Sequence, residues 1–259
     1  MAAIGSMQWA LRTGGRVGKF DRLRLMGLAA QTQLAQAIAR RFPQDARAIR
    51  RLSCIDINAI EIPANASARD ALDVCREASD PYLLNHCVRT YLFGAILGQQ
   101  STQRYDPELL YTASLLHDMG LTSRARPPMS APSHGQTCIC FALQGARFAR
   151  QWALDQAWPP SRADTLADAI CLHINPAVSV ARGVEAHLLQ AGAGLDLIGA
   201  RHREIAREVR DTVFAAWPRL DLSSAITEQL QAQRSASPES RMAWLVDKGF
   251  ARWSARWRG

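Results

Sequence analysis

Two dipeptides, Asp80-Pro81 and Asp106-Pro107, constrain the fold of this chain more than any other feature. Each places an acceptor side chain where the free amides of a first helical turn need one. Each follows it with proline, at a position whose amide has no helical partner anyway. Both open apolar segments longer than an ordinary strand. The first predicted helix runs to about Gly98, and the second runs from Pro107 to Met119 and stops at Gly120, a residue type suited to a left-handed cap. Further helices are predicted at about 141–154, 162–174, 184–199 and 202–216, with stops at Pro159-Pro160, Asn175-Pro176 and Pro218. Proline and serine dominate 127–133, which reads as a surface loop. No period-two strand pattern survives, so the expected fold class is all-α.

The 259 residues suit one large core. Residues 1–60 read as a helical N-terminal extension with apolar residues near helical spacing (Leu28, Ala29, Leu34, Ala37, Ile38), 61–220 as the main domain, and 221–259 as a C-terminal helical tail. The tail starts a helix at Ser237-Pro238-Glu239, and its Trp244, Trp253 and Trp257 are expected to dock on the core rather than anchor in a membrane. The apolar run Leu109–Leu116 falls well short of the roughly 20 residues of a membrane-spanning helix. Residues 1–20 lack the continuous apolar stretch of a secretory signal, so a cytoplasmic location is expected. The formal charge of +8 is almost all arginine, and its densest cluster (Arg40, Arg41, Arg47, Arg50, Arg51) reads as a solvated face. No nucleic acid partner is expected. A small-molecule substrate is, and the apolar content suits a monomer or a homo-oligomer. The six cysteines are scattered and read as buried free thiols, with no metal role.

The chemistry centres on Leu109–Gly120, an apolar helix that ends in His117-Asp118. Adjacent helical side chains diverge by about 100°. They share no flat face, but they can embrace an ion beside the last turn, where the negative end of the helix dipole favours a cation. The alternative is a C-terminal cap, with His117 bonding free carbonyls. His86 sits on the other apolar helix, on one face with Tyr82, Arg89, Thr90 and Phe93, and is expected to point inward. Asp196 lies among apolar and small residues (Gly192–Gly199), and a buried carboxylate requires a partner. His86, His117, Asp118 and Asp196 are therefore the expected ligands of a single divalent ion, and mixed nitrogen and oxygen donors suit iron, zinc or manganese. His173 is the candidate for proton transfer, or else an outer ligand. Arg89 either orients a polar or anionic substrate or pairs with an acid. Asn85 and Asn175, each close to a site histidine, are candidate substrate-orienting amides.

The order His86, His117-Asp118, Asp196 on successive helices resembles the HD superfamily of metal-dependent phosphohydrolases, over about residues 60–220. Asn85-His86, Arg89, the run Leu115–Thr122, Leu172-His173 and Gly194–Gly199 are more narrowly similar to its cyanamide hydratase-like branch. The resemblance implies an HD-domain helical bundle with the metal between helices. It also implies a hydrolase or hydro-lyase that uses metal-activated water on a small polar substrate, by hydration of a cyanamide- or nitrile-like group. Two alternatives stand beside it: a nucleotide or phosphate-ester phosphohydrolase, and a non-catalytic ligand-sensing module. Ala142 occupies a position where such relatives often carry His or Glu, which implies one metal ion rather than two unless His134 reaches in from its loop.

Overall fold

A computed structural model describes residues 2–41, 57, 60–101, 104–125, 140–257 and 259. These contain twelve α-helices and no strand, so the fold is all-α as expected; the nearest approach to sheet is one isolated bridge between Arg16 and Ser240. In chain order the helices are α1 (Met7–Thr13), α2 (Lys19–Arg41), α3 (Ala66–Ala78), α4 (Pro81–Gln100), α5 (Pro107–Leu116), α6 (Phe141–Asp155), α7 (Pro160–Leu172), α8 (Val184–Ile198), α9 (Arg207–Ala216), α10 (Leu222–Ala236), α11 (Arg241–Asp247) and α12 (Phe250–Arg256). The loop predicted at 127–133, His134, Cys54, Cys138, Arg47, Arg50 and Arg51 lie outside the described residues.

The start signals act unequally. Asp106 accepts from the Leu109 amide at 3.0 Å, whereas Asp80 makes no side-chain cap and Pro81 alone marks the start of α4. The helix α3 has no proline signal; Asn65 caps it by accepting from the Ala68 amide at 2.9 Å, and it buries Ala68, Ala71, Val74 and Cys75 along one face. The second predicted helix ends earlier than expected, at Leu116, with His117 as its cap and a 3-10 turn at Met119–Leu121. Gly120 is not left-handed. It is small for another reason: a Cβ there would lie 2.7 Å from the Phe141 carbonyl carbon and 3.0 Å from the Gly145 amide nitrogen, where the start of α6 crosses. The predicted start at 202 gives way to a 3-10 turn, His202–Glu204, and α9 begins at Arg207.

Nearly every face of α4 is buried, so it is the axis of the bundle. It meets α8 backbone to backbone, because a Cβ on Gly192 would stand 2.9 Å from the Gly94 amide nitrogen and 3.2 Å from the Thr90 carbonyl carbon. This close pairing sets His86 and Arg89 of α4 against Asp196 of α8. The ends of α5 and α7 deliver His117-Asp118 and His173 to the same place.

The terminal segments close over this centre. Arg241, 2% exposed, donates to Asn175 Oδ1 and to the Cys171 carbonyl, both at 2.8 Å, and stands over the Trp9 ring. Trp244 is buried, and the Trp257 ring lies on Gly199, whose missing side chain leaves room for it. Trp244 and Trp257 therefore dock on the core, whereas Trp253, expected to do the same, is 40% exposed. The α2 face read from the sequence is split: Ala29 and Ala37 line a cavity open to solvent, while Leu34 and Ile38 lie outside it and are exposed.

Candidate metal centre

His117 and His173 occupy equivalent places, each capping its helix in right-handed conformation and turning Nδ1 back to the carbonyl three residues earlier. The His117 Nδ1 meets the Ser114 carbonyl at 2.7 Å, and the His173 Nδ1 meets that of Ile170 at 2.5 Å. A carbonyl only accepts, so both rings carry a proton on Nδ1, and in the neutral ring Nε2 is the atom left to ligate. His86 reaches the same state by another route, because its Nδ1 stands 2.6 Å from Asp196 Oδ2. Arg89 binds both oxygens of that carboxylate, Nε to Oδ1 at 2.7 Å and Nη2 to Oδ2 at 2.8 Å, which keeps it ionised and accepting.

The three Nε2 atoms converge on Asp118. Its Oδ2 lies 3.3 Å from His117 Nε2 and 3.6 Å from His86 Nε2, and its Oδ1 lies 3.6 Å from His173 Nε2. The Nε2 atoms of His86 and His117 face each other at 3.3 Å, a separation that suits either a proton shared between the rings or a cation held between them. Ligand atoms of His86, His117 and Asp118, all buried, lie within 4.8 Å of one another, so among the described residues this group could hold a metal ion. The donor set of imidazole nitrogen and carboxylate oxygen fits a divalent transition metal.

The electrostatics favour neutral rings at His86 and His173 and set His117 apart. Burial pulls His86 and His173 below the ordinary imidazole value against the opposing pull of Asp196 and Asp118, which keeps both rings neutral and able to ligate. Burial also works to lower His117, but the adjacent Asp118 and the Ser114 carbonyl carry it above that value. Asp118 is held well below the usual carboxylate range: burial would raise it, and His117, His173 and His86 outweigh burial. Asp196 is lowered likewise, chiefly by Arg89 acting against burial.

The sequence matches the HD domain over residues 83–215, just over half of the chain and the whole stretch from α4 through α8 that builds this centre. The chain belongs to the HD domain family. No curated protein matches it. The HD superfamily is one of metal-dependent hydrolases and phosphohydrolases, and the His86, His117, Asp118 group, which could hold a metal ion, lies within the matched residues. No helix among the described residues is long and apolar enough to cross a membrane.

The HD domain places the remaining predicted residues unequally. Asp196 lies outside the three-residue group, behind His86 on the side away from His117. Arg89 is fully buried, with Nη1 donating to the Trp217 and Pro218 carbonyls at 2.9 Å each; it pairs with an acid, the second of its two sequence readings. Asn85 donates to the Pro218 carbonyl at 2.8 Å. Asn175 lines the cavity, yet its amide already donates to the Ile4 carbonyl at 2.7 Å and accepts from Arg241. Ala142 is buried and carries no ligand atom. Two participants had no signal in the sequence: Phe141, edge-on to His173 with ring centres 5.8 Å apart, and Arg219, which donates to the Asp196 carbonyl. His86, His117, Asp118 and His173 together line one end of a cavity of about 810 Å³.

Proposed function

We propose that this chain is a metal-dependent hydrolase or hydro-lyase that adds water to an uncharged electrophile, such as a nitrile-like carbon. The observation that carries the reading is the convergence of three imidazoles, each with its Nδ1 proton committed elsewhere, on one buried carboxylate that opens into a cavity. His86, His117 and Asp118 would hold the ion. When bound, such an ion lowers the pKa of a coordinated water from about 15.7 towards about 7, so that a nucleophile is available near neutrality. Asp196, locked by Arg89, holds the His86 ring in position. His173 Nε2, beside Asp118 and on the cavity wall, accepts a proton from the attacking water and returns it to the product. Phe141 limits how far the His173 ring can tilt.

Phosphate-ester hydrolysis is the second reading. The position of Arg89 argues for the first: it spends four of its five N–H donors on Asp196 and on two backbone carbonyls and does not line the cavity, whose cations, Lys248 and Arg256, belong to the C-terminal segment outside the matched residues. The similarity of the Leu115–Thr122 and Gly194–Gly199 runs to the cyanamide hydratase-like branch supports it too.

Elemental analysis of the purified chain is expected to find about one equivalent of a divalent transition metal. Asp118→Ala should lose the metal while the far-ultraviolet circular dichroism stays helical. Turnover is then compared on nitriles and on phosphomonoesters. Unchanged metal content in Asp118→Ala would remove the site, and phosphate release without nitrile hydration would establish the second reading.

A further inference from the structure

The matched segment 83–215 supplies the metal group but only part of the cavity into which that group opens. Much of the remaining lining comes from outside it: Met26 and Ala30 of α2, Ile226 and Leu230 of α10, Trp244 of α11 and Trp253 of α12. That lining is mostly apolar and partly aromatic, with Gln33, Lys248 and Arg256 as its polar members. At about 810 Å³ the cavity has the size of sites that enclose drug-sized compounds. A molecule of three heavy atoms such as cyanamide, at roughly 30 Å³ per heavy atom, would fill only about a tenth of it. With nothing but small polar substrates to bind, such a wall would be a hydrated apolar surface that contributes nothing to recognition. The shape is better matched to a compound that brings its own apolar surface.

We infer that the true substrate carries its reactive group on a bulky apolar body, and that the terminal helices α2 and α10–α12 select that body. This rests on the hydrolase reading for what happens at the metal, but not for what binds along the wall. The two parts divide the labour. The centre built by α4, α5, α7 and α8 recognises the electrophile, and the helices before and after the matched segment recognise what it is attached to. Because α2 contributes Ala29, Ala30 and Ala37 to the cavity, its wall is shallow there, and added side-chain bulk on α2 should shorten the space available.

The test uses the full chain with its metal and two neutral probes, 4-butylbenzonitrile and cyanamide, titrated by ligand-observed NMR. The butylbenzonitrile is expected to bind about tenfold or more tightly than cyanamide, in keeping with its apolar area. Ala30→Trp and Gln33→Trp, both at exposed positions of α2 that face the cavity, should weaken butylbenzonitrile at least about fivefold. They should leave cyanamide binding and the thermal midpoint as in the parent. Asp118→Ala, stripped of metal, should still bind butylbenzonitrile. Equal affinity for the two probes, or unchanged butylbenzonitrile affinity in both folded α2 variants, overturns the inference. Tight, α2-dependent binding without any conversion overturns the hydration reading instead and leaves the apolar-body inference standing.

Discussion

His117 shows how one side chain can satisfy two readings that look exclusive in the sequence. It caps α5 by bonding a free carbonyl, and by doing so it fixes the tautomer that a metal ligand needs. His173 repeats the device on α7. His173→Ala should lower turnover at least about a hundredfold while metal content stays near that of the parent, the usual size of a lost proton-transfer group. Metal loss in that variant, read by elemental analysis, would make His173 a ligand instead. Arg89 was legible only as one of two options, because its partner Asp196 stands 107 residues away. Arg89→Met leaves a buried carboxylate with its main partner gone, and urea unfolding should show a loss of about 3–5 kcal/mol. The backbone acceptors Ser114, Ile170, Trp217 and Pro218 left no trace in the sequence, since any residue type offers the same carbonyl.

At the scale of elements, helices announced by proline or by a long apolar run were readable, and those held by tertiary contact were not. The cap of α3 rests on a single asparagine, and α10 buries only Leu222, Ile226 and Leu230, a stripe too sparse to stand out from a polar tail. The end of α5 was misplaced because Gly120 was read for its backbone freedom; what the fold uses is its lack of a Cβ beneath α6. Glycine type alone does not distinguish these two uses. Gly192, which the sequence suggested as a place of close helix approach, is one. Gly192→Ala should force α8 away from Thr90 and Gly94, costing about 1–3 kcal/mol by chemical denaturation and reducing metal affinity in the same variant.

For the whole molecule, the residues that make the metal group were all visible in the sequence, because histidine and aspartate are conspicuous in apolar helices. The cavity was not. Its walls are alanine, methionine, leucine and tryptophan, which read the same whether they fill a core or line a space. The two ends of the chain meet through one buried side chain: Arg241 ties α11 to Asn175, and Asn175 ties the end of α7 to Ile4. Arg241→Ala should therefore loosen both ends at once. The expected loss is about 2–3 kcal/mol for the stranded Asn175 and Cys171 acceptors. A red shift of tryptophan emission, as the aromatic residues packed near it become wetter, would report it.

The backbone contact between α4 and α8 has a mechanical consequence. Around Gly94 and Gly192 main chain lies against main chain with no side chain between to repack, so sliding or rolling at that crossing would drive backbone into backbone. The spacing between His86 and Asp196 is thereby held by the crossing itself.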